Sequence, residues 1–206
     1  MKKFSTINEA YTESWIDSES NRVIVEKLKN ALKEEFNAWY GYIVVRDWLV
    51  GNCRPEIVKL YEETAKDELE DHAYWIMQRL SELEATIEDI TISPASWLTA
   101  DHTYISPKWS PKYGHQNILN NDKQVIDVLD SLLQNVENEM GAIETYRDLI
   151  EVAQSFKDYT TEKKCKEILA DEEEHLQLLQ DMLDDIVAVR NEVNPRIENT
   201  NIQSEE

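Results

Sequence analysis

Four glutamates and two histidines stand in a pattern that occurs twice in the chain. Glu35 and Tyr42 are spaced as Glu139 and Tyr146 are, and both segments read Glu-x-x-Ala-x-x-x-Tyr through Ala38 and Ala142. Asp67-Glu68 precedes His72, and Asp171-Glu172 precedes His175. Carboxylates and imidazoles together are ligands for divalent metals such as iron or manganese. A single acid and histidine pair would mean little in a chain with 42 acidic residues. Four chemically matched segments, one on each expected helix, are far more specific.

Helical periodicity decides which way these acids face. Glu35 continues the row of Leu28 and Leu32 toward Trp39 and Tyr42. Glu139 continues Leu132 and Val136 toward Ile143 and Tyr146. Glu68 falls between Ala65 and His72, and Glu172 between Ile168 and His175. All four therefore lie on apolar stripes, whereas Glu34, Glu137, Glu173 and Glu174 suit solvent. A buried carboxylate without a partner costs several kcal/mol or becomes protonated. Arg46 and Arg79 are the chief cationic candidates near the core. Two divalent ions would balance four carboxylates and take two neutral imidazoles as further ligands. Glu35, Glu68, His72, Glu139, Glu172 and His175 are therefore the candidate metal-binding and catalytic residues. The competing reading turns the helices so that these acids meet only water.

The elements that must position them are long helices. Gly is rare at four and Pro at five, which favours helices over sheets. The stripes predict helices over about 21–50, 55–83, 122–154 and 161–190. Gly51-Asn52 stops the first, and Pro55 opens the second. Residues 85–121 hold three prolines and several aromatics, including Trp97 and Trp109, and read as an ordered connection. The expected fold is all-α: a four-helix bundle with one long crossover between the second and third helices. An arm at 1–20 precedes it, and Pro195 is expected to leave 191–206 as a polar tail.

Net charge is −21. Such a surface repels nucleic acid, whose binding needs Lys and Arg against phosphates, and it attracts cations. No apolar run spans a membrane, and the N-terminal stretch lacks an apolar segment after Lys2 and Lys3. A cytoplasmic location is expected. Cys53 and Cys165 lack paired spacing and read as free thiols. The crossover puts them at opposite ends of the bundle, about 40 Å apart for a ~28-residue helix, so no disulfide joins them. His102 and His115 read as loop histidines.

Glu35 to Tyr42, Glu68 to Ala73, Glu139 to Tyr146 and Glu172-x-x-His175 together resemble the ferritin-like superfamily: bacterioferritin, rubrerythrin and the Dps-like miniferritins. The resemblance covers about residues 21–188. It is strongest to Dps-like proteins with a bacterioferritin-type centre inside each subunit. It implies that Glu68 and Glu172 bridge two metal ions and that Glu35, His72, Glu139 and His175 are terminal ligands. Tyr42 and Tyr146 are then either donors that orient carboxylates or simply core aromatics.

One departure stands out. The second helix has Glu68-x-x-x-His72, with Asp71 where the fourth helix would place its histidine. The extra residue calls for a π-bulge that restores the facing of His72. The rival is Asp71 as the ligand.

The resemblance implies a di-iron ferroxidase that oxidises Fe(II) with O2 or H2O2, for iron storage and protection from oxidative stress. It also implies a homo-oligomer, with a dodecameric shell favoured. The alternatives are a non-storing di-iron or di-manganese peroxidase or catalase-like enzyme, and a scaffold with a vestigial site.

Overall fold

A computed structural model describes residues 18–86 and 126–202 of the chain. The first helix, α1 (Ser18–Trp48), is followed by a two-residue strand, β1 (Leu49–Val50). The second rod is a single run of three parts: α2 (Arg54–Asp67), a π-helical turn (Glu68–Ala73) and α3 (Tyr74–Glu82). The strand β2 (Ile126–Asp127) leads into α4 (Val128–Phe156), and α5 (Tyr159–Ile202) completes the described chain. Four helical rods result, as the stripes predict.

Two apolar clusters show how the rods run. One holds Leu28 and Leu32 of α1, Ile76 and Leu80 of α3, Leu149 of α4 and Ile168 of α5. The other holds Val45 of α1, Ile57 and Tyr61 of α2, Leu132 of α4, and Leu179 and Ile186 of α5. Along α1 and α5 the first cluster comes before the second; along the other two rods the order is reversed. The chain thus leaves α3 at one end of the bundle and re-enters α4 at the other. Each fully buried Leu or Ile in these clusters contributes roughly 1.5–3 kcal/mol, so the clusters clamp the bundle on both sides of the level between them.

The ends of the rods have local causes. Gly51 has φ 132°, and a Cβ there would come within 2.7 Å of Val128 Cγ2. Only glycine permits this turn beside the start of α4. Leu49 and Val50 pair in parallel with Ile126 and Asp127. The first helix therefore stops at Trp48, two residues before the expected end. Asp127 accepts from Leu129 N at 2.9 Å and caps α4. The expected start of that helix at 122 lies outside the described residues, as do the arm before Ser18, His102, His115 and most of the crossover.

The fourth rod corrects one expectation. It runs through Pro195 to Ile202 instead of ending near 190. Proline removes one backbone donor and costs about 3 kcal/mol in a helix interior. That is a penalty and not a prohibition: the helix continues past Pro195 at the loss of one backbone hydrogen bond.

Between α4 and α5 the chain turns on Lys157 in a left-handed conformation. Asp158 then caps α5, accepting from Thr161 N at 3.1 Å and from Arg79 Nη2 at 2.8 Å. Asp158 is 4% exposed. Burial alone would raise its carboxyl; the hydrogen bonds from Arg79 and Thr161 outweigh this and hold it below the usual carboxylate range. Asp158→Ala is expected to destabilise the bundle by about 3 kcal/mol, because it strands a half-buried guanidinium and removes a cap. Because the folded pKa is lowered, this contribution is present above about pH 3.9 and fades as pH falls through the folded value. Denaturant titrations of wild type and variant at pH 7 and pH 3 would show the difference shrinking.

Candidate metal centre

The level between the two apolar clusters is polar. Glu35, Glu68, Glu139 and Glu172 are each 3% exposed or less, His72 is fully buried and His175 is 5% exposed. The stripes brought all six inward, one or two from each rod. Arg46 pairs with Glu62 at the surface and Arg79 with Asp158, so neither neutralises them.

The π-helical turn spans Glu68 to Ala73, where the extra residue of the second rod requires it. It points His72 inward at 0% exposure and leaves Asp71 exposed on Lys164 at 3.0 Å. Without the wide turn, Glu68 and the residues from Ala73 to Leu80 would face different directions.

The donor atoms fall into two overlapping sets. Glu35, Glu68, His72 and Glu172 place ligand atoms within 4.8 Å of one another, and so do Glu68, Glu139, Glu172 and His175. Glu68 and Glu172 belong to both. His72 Nδ1 lies 3.3 Å from Glu35 Oε2, 3.1 Å from Glu68 Oε2 and 3.2 Å from Glu172 Oε1. His175 Nδ1 lies 3.6 Å from Glu68 Oε1 and 3.6 Å from Glu172 Oε2. Atoms about 2.1 Å from one ion at right angles sit about 3 Å apart, so these spacings suit a divalent metal.

Of the buried side-chain atoms that make no hydrogen bond of acceptable geometry among the described residues, four lie at this level: Glu68 Oε1, both Glu172 oxygens and His175 Nδ1. Orphaned buried polar atoms need a partner, and an ion is one. The electrostatics agree. Burial raises the Glu68 and Glu139 carboxyls well above the usual range, and the neighbouring Glu172 charge adds to it. Burial disfavours a charged Glu172 as well, but His175, His72 and Glu139 outweigh this and lower it. His72 is raised despite burial, because Glu172, Glu35 and Glu68 surround it. The crowding that raises some of these groups and lowers Glu172 is what a bound cation would relieve.

The surrounding contacts cross between the halves of the repeat. Tyr42 donates to Glu139 Oε1, and Tyr146 to Glu35 Oε1. Each tyrosine thus steadies the glutamate of the other segment, a donor's role as well as a core aromatic's. His72 Nε2 lies 3.4 Å from Asp171 Oδ2, and His175 Nε2 lies 3.6 Å from Asp67 Oδ2. The Asp171 carboxylate on the outer nitrogen of His72 favours the tautomer that presents Nδ1 inward, whereas Asp67 stands near His175 beyond hydrogen-bond distance. The sequence displayed these aspartates as part of both Asp-Glu pairs, but periodicity gave them no role, because they sit at the edge of the stripe. Asp171→Ala is expected to weaken metal binding about 10- to 100-fold with the fold intact, measured by competition with a chelator. The thiols are far from such a role: Cys53 and Cys165 are both free, in different clusters.

Comparison with known proteins fits this geometry. Residues 25–189 match the family model of the ferritin-like domain. The chain belongs to the ferritin-like family. Among solved ferritin-like structures, it is similar to a dodecameric thioferritin, the bacterioferritin-related protein of Bacteroides fragilis. That match has 31% identity, 84% of this chain, 90% of that one and a TM-score of 0.67. A ferritin-like diiron-carboxylate protein of Bacillus anthracis matches at 21% identity over 81% and 99% of the two chains, TM-score 0.61. The Dps protein of Vibrio cholerae matches at 17% over 82% and 93%, TM-score 0.65. The latter two likenesses speak for the fold alone. No curated protein sequence matches significantly. Among the described residues of this ferritin-like chain, no helix is long and apolar enough to cross a membrane.

Proposed function

We propose that this ferritin-like protein binds two iron ions per chain and oxidises them from Fe(II) to Fe(III). One observation carries the reading: two buried donor sets share Glu68 and Glu172, an arrangement for two ions side by side. In this reading Glu35 and His72 complete one site, and Glu139 and His175 the other. Iron here is the substrate, and the pair of ions supplies two electrons to O2 or H2O2. The four carboxylates favour the more highly charged ferric product, so they lower the cost of oxidation. Tyr42 and Tyr146 hold Glu139 and Glu35 in place, and Asp171 orients His72.

The Bacteroides fragilis relative is described as dodecameric. By extension we place this chain in a shell of twelve subunits, about 290 kDa from chains of 24.1 kDa, which stores the ferric product. Light scattering tests the assembly. Anaerobic titration with Fe(II) tests the site, with saturation expected at two ions per chain; saturation at one, or no uptake, would refute it.

A further inference from the structure

A cleft of about 460 Å³ opens between α1 and α4 and reaches Glu35, Glu68, Glu139 and Glu172. Its walls include Ala38, Gly141 and Ala142, a small apolar stretch among polar residues such as Asn30, Asn37 and Asn138. Small residues on both helices leave the space that larger ones would fill. A Cβ at Gly141 would meet nothing within 4 Å. Buried oxygens of Glu68 and Glu172 that lack hydrogen-bond partners belong to the residues at its floor.

The size of this space is informative. A water molecule takes roughly 30 Å³ in the liquid, and O2 or H2O2 needs only a small multiple of that. Clefts for small organic ligands run from about 300 to 1,000 Å³. An oxidant no larger than H2O2 would be served by a far narrower passage. Glu34 and Glu137 line the same cleft beside a single cation, Lys33; the acids outnumber it, and with a net charge of −21 the chain disfavours anionic compounds.

We propose that the α1–α4 cleft admits neutral organic hydroperoxides as oxidants of the iron held at its floor. This rests on the di-iron reading above and extends its oxidants to a further class. One hydroperoxide takes one electron from each of two Fe(II). Its O–O bond breaks, and two protons from solvent complete one alcohol and one water, leaving two Fe(III). The alkyl group stays in the cleft against Ala38, Gly141 and Ala142 while the peroxide end meets the carboxylate level.

The test uses the full chain and the variant Gly141→Leu. Gly141 lies in regular helix with open space beside it, so leucine there favours the helix and fills the cleft. Anaerobic protein loaded with Fe(II) is mixed with cumene hydroperoxide or with H2O2. Wild type is expected to oxidise two Fe(II) per hydroperoxide and release one cumyl alcohol. Gly141→Leu is expected to lose at least about tenfold in the cumene hydroperoxide rate and to keep the H2O2 rate within about threefold. Without metal, ligand-observed NMR is expected to show cumyl alcohol binding to wild type and not to Gly141→Leu. Rapid oxidation by H2O2 with none by cumene hydroperoxide would overturn this inference alone. So would equal slowing of both oxidants in the variant, or alcohol binding that Gly141→Leu leaves unchanged. Failure to bind Fe(II) at all would overturn it together with the di-iron reading.

Discussion

Glu172→Ala and Glu68→Ala are each expected to abolish rapid Fe(II) oxidation while the bundle stays folded. Both residues contribute to both donor sets, so either loss damages two sites at once. By contrast, Glu35→Ala or Glu139→Ala removes a ligand from one set only and is expected to leave one ion bound. Folding survives because the two apolar clusters, and not the polar level, clamp the rods. The metal-free form even has reason to gain from losing a carboxylate, since burial and Glu172 are what raise Glu68 and Glu139. Stopped-flow absorbance for ferric product, with circular dichroism for the fold, checks this. Wild-type rates in both Glu172→Ala and Glu68→Ala would refute the site.

Bound metal is expected to stabilise the protein strongly. A ligand at 100 times its dissociation constant adds about 2.7 kcal/mol per site. For a domain of this size each kcal/mol raises Tm by about 2–4 °C, so one occupied site is worth roughly 5–10 °C and two more. Buried donors without hydrogen bonds, such as both Glu172 oxygens, are the physical source of that gain. In the metal-free form burial and the neighbouring carboxylates shift Glu68, Glu139 and His72 toward their protonated forms, which bound ions would oppose. Uptake is therefore expected to release protons and to tighten as pH rises. Calorimetry with Mn(II), which avoids oxidation, measures the shift in Tm, and an unchanged Tm would favour a vestigial site. Glu172→Ala is expected to lose the shift.

Much of this centre is legible in the sequence because helical periodicity reports direction. Leu28 and Leu32 announce the facing of Glu35, and Ile168 that of Glu172. Comparison of the two halves exposes the extra residue before His72, and a π-helical turn is the local way to absorb it. What periodicity does not report is the neighbour on the next helix. The crossed pairs Tyr42 with Glu139 and Tyr146 with Glu35 depend on how the rods are staggered. The same holds for Asp67 beside His175 and Asp171 beside His72. The parallel contact of Leu49–Val50 with Ile126–Asp127 joins segments far apart in the chain, so no local pattern foretells it. The passage of α5 through Pro195 shows that a proline weakens a helix without always ending it. The α1–α4 cleft is a property of two facing surfaces, and the small size of Gly141 and Ala142 acquires meaning only once Ala38 stands opposite.

Anomalous diffraction from crystals soaked in Mn(II) or, without oxygen, in Fe(II) locates the ions directly. Two peaks per chain are expected, both against Glu68 and Glu172, one also against Glu35 and His72 and the other against Glu139 and His175. Peaks confined to surface acids, or a single ion that leaves either bridging glutamate without metal, would contradict a di-metal centre in this bundle.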